Sequence, residues 1–136
     1  MNVKHSLCLI LLILLFLCGC SFKERDDIIV CGDESSLINF TEQDGVVHIM
    51  CRITLENTTD MDCVVRISGY SEEDVSTGLL RYPHLTGYNT EEESDLFLLE
   101  ANERCEFLID FQGEYAGNFL KSDRLIPDNI IVDVVE

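Results

Sequence analysis

The chain has 136 residues, with 26 acidic against 9 basic side chains and a net charge of −17. That balance excludes a phosphate-neutralising nucleic-acid surface, which needs lysine and arginine in excess. The length suits one domain with a sizeable core, and no internal repeat or low-complexity linker divides it.

Lys4 supplies a positive start, and Leu7 to Leu17 is an unbroken apolar run. A helix needs about 20 apolar residues to cross the hydrocarbon core. The run is shorter and reads as the h-region of a signal peptide. It ends in Leu17-Cys18-Gly19-Cys20. This tetrapeptide resembles the lipobox of bacterial lipoproteins: Leu three before, a small residue directly before, then Cys. The resemblance implies a diacylglyceryl group on the Cys20 thiol and cleavage by signal peptidase II after recognition of Leu17, Cys18 and Gly19. Acylation of the new amino terminus, by palmitate or a similar chain, would follow. It also implies a place on the extracytoplasmic face of the cell membrane, held by that lipid. A single acyl chain anchors only marginally, and two or three hold firmly. The expected divisions are residues 1–19 as signal peptide, 20–27 as lipidated tether and 28–136 as the folded domain. Of the charged residues only Lys4 is lost with the signal, so the net charge falls to one unit below −17. The tether, Ser21 to Asp27, reaches at most about 25 Å when extended. Lys23 and Arg25 lie in the part that would meet headgroups, while the acidic remainder is repelled by anionic lipid.

Beyond the tether the dominant period is two, the mark of half-buried strands. Ile28–Cys31 and Leu37–Phe40 are short apolar runs. Asp44-Gly45 predicts a tight hairpin turn, because both residues tolerate positive φ. Val46–Asn57 predicts the clearest strand, with Val47, Ile49, Cys51, Ile53 and Leu55 on one face and His48, Arg52, Thr54 and Glu56 on the other. After the polar turn Asn57–Asp60, Cys63, Val65 and Ile67 alternate with Asp62, Arg66 and Ser68. Ser71-Glu72-Glu73-Asp74 has the form of a capping box opening one helical turn, closed at Gly78. Leu79–Tyr82 is a candidate short strand, and Pro83–Ser94 reads as a polar loop. Leu96–Leu99 and the strand carrying Cys105, Phe107, Ile109 and Phe111 follow. Gly113–Asn129 reads as an irregular crossing before a last strand, Ile130–Val135. The class is all-β, with about seven strands in a two-sheet β-sandwich and a closed barrel as the alternative.

Two stretches carry a further resemblance. Ile53–Asp60 is similar to the strand and turn of bacterial Ig-like domains, and Leu98–Glu103 followed by Phe107–Phe111 looks like their late hairpin. The departures are the lack of any Trp and Glu103 where a tyrosine corner would place Tyr, two residues before Cys105. The resemblance carries no functional residue. With Cys20 taken by lipid, Cys31, Cys51, Cys63 and Cys105 remain in a compartment that permits disulfides. They read either as small core hydrophobes or, for Cys51 and Cys105, as the early-to-late bridge that the Ig-like resemblance implies.

No nucleophile elbow, metalloprotease helix or phosphate loop is present, and no Cys-x₂-Cys pair points to zinc. The expectation is therefore a protein that is not an enzyme and holds no metal or cofactor beyond the lipid on Cys20. His48, on the polar face of its strand, reads as a solvated residue. Arg81, Tyr82, His84 and Tyr88 form a candidate recognition loop, since loops carry function and tyrosine offers area with a polar tip. Tyr70, Tyr115 and Phe119 would join it if they lie at the same end. The acidic clusters, Glu91–Asp95 among them, lack calcium-loop spacing. The expected function is a non-catalytic binding or structural module of the cell envelope, partnered by the membrane and another envelope protein and not by nucleic acid. The alternative is a lipoprotein that binds a small ligand, a glycan or a divalent cation.

Overall fold

A computed structural model describes residues 27–118 and 126–135. Leu17, Cys18, Gly19 and Cys20, which resemble a lipobox, lie outside the described residues, as do the expected tether before Asp27 and Phe119. The strands are β1 (Ile28–Val30), β2 (Ser36–Gln43), β3 (Val46–Asn57), β4 (Cys63–Tyr70), β5 (His84–Asn89), β6 (Phe97–Leu99), β7 (Arg104–Glu114) and β8 (Asn129–Val135). A single turn of 3-10 helix spans Gly32–Glu34, and a short helix α1 spans Glu72–Ser76. The described chain is thus all-β, as the alternation predicts.

Every strand pairing is antiparallel. β3 and β2 form the expected hairpin, with Asp44 at φ 53° and Gly45 at φ 81° in the two-residue turn. β1 continues along the same edge of β3, and β7 takes the other edge. β4 pairs with β8 on one side and with β5 and β6 on the other. β5 joins the halves: its first part pairs with β4 and its second with β7. The eight strands therefore hydrogen-bond as one nearly closed sheet.

The period-two pattern of β3 is realised in full. Val47, Ile49, Cys51, Ile53 and Leu55 are each at most 1 % exposed. They meet Val65 and Ile67 of β4, Phe97 and Leu99 of β6, and Ile109 and Phe111 of β7 in one core. Phe97 meets Phe107 edge to face, with ring centroids 5.2 Å apart, so β6 lies across the core from β7.

Three local expectations change. Pro83–Ser94 is not a loop throughout, because His84–Asn89 is strand β5. Its inward residues are Leu85, Gly87 and Asn89, which give no apolar alternation to read. Gly87 is required by packing: a Cβ there would sit 2.2 Å from the Ile67 carbonyl oxygen. Leu79–Tyr82 forms only an isolated bridge, Leu80 to Tyr115, and β7 runs on to Glu114.

The Cys51–Cys105 bridge is corrected by register. Cys51 stands opposite Ile109 and Cys105 opposite Leu55 on adjacent strands. The four-residue offset separates them by roughly 13 Å along the strand, well beyond disulfide reach. Among the described residues no disulfide joins Cys31, Cys51, Cys63 or Cys105.

The junction between the halves at the β3–β4 turn is polar. Asn57 is fully buried. Its Nδ2 donates to the carbonyls of Met61 (2.9 Å) and Leu99 (3.2 Å). Its Oδ1 accepts from the Thr59 backbone N–H (3.0 Å) and hydroxyl (2.7 Å). Both ends of the amide are thereby satisfied without water.

Asn57→Ala strips partners from buried backbone groups and should cost about 2–4 kcal/mol in a denaturant melt; a loss close to zero would show that the junction does not depend on this amide. Burial, reinforced by the charge of Asp110, pushes the Cys51 thiol up to about 12. Cys51 should therefore resist alkylation at neutral pH until the chain unfolds, as peptide mass spectrometry can read; rapid labelling in the native state would contradict the burial.

Candidate functional site

The richest cluster of aromatic and charged side chains lies where β4 ends and β5 begins. β4 closes at Tyr70, and the Ser71 N–H donates to the Pro83 carbonyl at 2.9 Å. The capping box appears in altered form: the Ser71 hydroxyl donates to the Asp74 carboxylate, side chain to side chain, and does not cap a backbone N–H. The Asp74 carbonyl accepts from both Leu79 and Leu80 N–H at 3.0 Å. These leucines are 1 % exposed and plug the core, while Gly78 makes the intervening turn at φ 82°.

With the leucines fixed inward, the next residues are forced out. Arg81 is tied to β7 through its N–H to the Glu114 carbonyl (2.9 Å) and its guanidinium to the Glu114 carboxylate (3.1 Å). Tyr82 follows, 58 % exposed. His84 packs edge to face on Tyr70, with centroids 5.1 Å apart. The Tyr70 hydroxyl donates to Glu72 at 3.0 Å, and that bond holds the phenol above its usual range, with burial and the Glu72 charge adding to it. The bridge to Leu80 brings Tyr115 to the same end. The structure thus places Arg81, Tyr82 and His84 at the same end as Tyr70, with Tyr115 there packed against the core.

Tyr88 does not join them. It lies four residues beyond His84 on β5, roughly 13 Å away. There it stands opposite Asp110 of β7, beside a cluster that the sequence pattern does not reveal. His48 is not a solvated bystander: its Nδ1 lies 2.8 Å from Asp110 Oδ2. Gln112 Nε2 donates to the same oxygen at 2.9 Å. Asp110 Oδ1 is buried and has no hydrogen-bond partner. The pair is made by register, since His48 stands opposite Gln112 and Met50 opposite Asp110 on β3 and β7. The carboxylate can orient the imidazole by that contact. Cys51 points to the core from the other face of β3, so its thiol does not share the face of His48.

The acidic run after β5 is organised by a second buried asparagine. Asn89 Oδ1 accepts from the backbone N–H groups of Glu91 (3.2 Å) and Glu92 (3.3 Å). Beside it lies an open groove of about 550 Å³, with Glu91, Glu92 and Glu106 on its walls. Among the described residues no three His, Cys, Asp or Glu side chains converge as metal ligands.

No known protein family, curated protein or solved structure matches the chain.

Burial is the main reason the Asp74 carboxyl sits above its ordinary range. The Ser71 hydrogen bond opposes the shift, and the charges of Asp128 and Glu73 add to it. A raised folded-state value favours the protonated form, so its stabilising contribution is full below the ordinary Asp range and is lost as pH rises through the folded value. Asp74→Asn should therefore raise the melting temperature relative to wild type at pH 7, with the gain shrinking toward zero as pH falls below the ordinary Asp range. A gain independent of pH would remove Asp74 as its source.

Proposed function

We propose that the protein is a lipid-anchored module on the extracytoplasmic face of a bacterial cell membrane, non-catalytic, and that it binds another envelope component. The carrying observation is the placement of Tyr70, Arg81, Tyr82 and His84 at the end of the sheet away from Asp27, where the tether enters. β1 begins opposite Asn57, at the start of the domain and the turn into β4. Tyr70 and His84 face each other at the far end of β4. A strand of this length spans about 25 Å. A tether on Cys20 would then hold one end of the domain near the bilayer and present the aromatic end outward.

The chemistry of that end suits a protein or peptide surface. Tyr82 offers apolar area with a hydroxyl at its tip, and the edge-to-face Tyr70–His84 pair adds aromatic surface beside it. Arg81 brings a planar donor already oriented by Glu114. We read the fold behind it as a loose Ig-like sandwich. In that reading β3 and β7 form one layer, β4, β6 and β8 the other, and β5 passes between them.

Two measurements test this function. Intact-protein mass spectrometry of the membrane fraction should find lipid on the natural chain and none on Cys20→Ala, which should leave the membrane; a lipidated or membrane-held Cys20→Ala protein refutes the anchor. A photo-cross-linking residue at position 82 should capture one envelope protein on intact cells, and Arg81→Ala with His84→Ala should weaken that capture about ten-fold or more, as lost interface anchors do. Capture that is absent, or unaffected by those changes, removes the aromatic end as the binding surface.

A further inference from the structure

We propose that the opposite end of the domain rests on the bilayer itself, with Met61, Leu98 and Val134 entering its apolar layer. The inference rests on the anchored reading above and adds a second, non-covalent contact with a lipid surface. A groove of about 490 Å³ opens at this end, with Asp27, Ile28, Met61, Cys63, Leu98 and Val134 among its walls. It lies where β1 and β8, the first and last described strands, come together, each paired to the sheet on one side only. Met61 is 70 % exposed, Val134 57 % and Leu98 56 %. These are the three most exposed large aliphatic side chains among the described residues, and all three line this one groove. Scattered apolar side chains are ordinary on a surface, whereas a cluster of this kind marks a contact.

The chain length before the groove identifies the occupant. Asp27 is on its wall and stands seven residues after Cys20, a reach of at most about 25 Å. If Cys20 is lipidated, this is the end of the domain held against the membrane. Met61 is well placed to enter it. The backbone carbonyl of Met61 is held by Asn57 and Thr59, so the turn is fixed while the side chain projects. Asp27 and Asp62, also on the walls, disfavour anionic headgroups. The surface that fits is a neutral, zwitterionic one.

The chain contains no tryptophan, so a single introduced indole is an unambiguous reporter. The test uses the full lipidated protein in phosphatidylcholine vesicles, with and without bromine on the lipid acyl chains. Met61→Trp and, as a second reporter, Leu98→Trp should shift emission to shorter wavelength and lose intensity in the brominated vesicles. Tyr82→Trp, at the far end, should do neither. Vesicle-bound Met61→Trp and Leu98→Trp proteins whose emission is not quenched overturn the docking while leaving the anchor intact. A blue-shifted but unquenched Met61→Trp protein also overturns it, since something other than bilayer lipid then fills the groove. If mass spectrometry finds no lipid on Cys20, the anchor and the docking fall together.

Discussion

The side chain of Asn57 holds the two halves of the sheet in relation to each other. It ends β3, the longest strand, at the point where the chain crosses to β4. A hydrophobic residue there would fill the space but take one donor from each of the carbonyls of Met61 and Leu99. The amide satisfies both and also shapes the turn through Thr59. Buried polar groups of this kind are costly when incomplete and specific when complete. The Leu99 contact ties β6, which pairs with β4, to the end of β3. Asn89 plays the corresponding part after β5, where its Oδ1 gathers the N–H groups of Glu91 and Glu92. Two asparagines at strand ends thus govern the crossings that a run of apolar residues could not specify.

Charge contributes to solution behaviour more than to the fold. Among the described residues every arginine lies in an ion pair: Arg52 with Glu106, Arg66 with Asp95, Arg81 with Glu114, and Arg104 with Glu34 and Glu56. These pairs are exposed, and pairs of that kind contribute about 0–1 kcal/mol. The remaining carboxylates stay largely unneutralised. They keep the surface hydrated and repel both nucleic acid and anionic lipid. His48–Asp110 differs, because the carboxylate is nearly buried and one of its oxygens has no partner.

The domain has two unlike ends because antiparallel strands return every second connection to the same side. The turns after β3 and β6 fall at the end where the described chain begins at Asp27, where Met61 of the first turn, Leu98 of β6 and Val134 of β8 are exposed. The connections after β2, β4 and β7 fall at the other end. There the plug of Leu79 and Leu80 forces Arg81 and Tyr82 outward. This polarity supports the division of labour we propose, in which one end would face lipid and the other a partner.

The all-β class, the inward face of β3 and the Asp44-Gly45 hairpin are legible in the order of residues alone. Each is a local property: side chains alternate every second residue, and positive φ at two successive positions selects few residue types. The resemblance of Leu17–Cys20 to a lipobox also rests on a local pattern, and it stays a proposal because those residues lie outside the described ones. Strand β5 needed the folded chain to become visible, since Gly87 and Asn89 are dictated by neighbours that the local pattern does not contain. So did the distance between Cys51 and Cys105 and the meeting of His48 with Asp110. Both outcomes depend on the register between β3 and β7, strands far apart in the chain, and a slip of one residue would reverse every face. The aromatic end stands between these cases. The residues of Arg81–Tyr88 are visible as a group along the chain, but the topology keeps Arg81, Tyr82 and His84 with Tyr70 and carries Tyr88 away along β5.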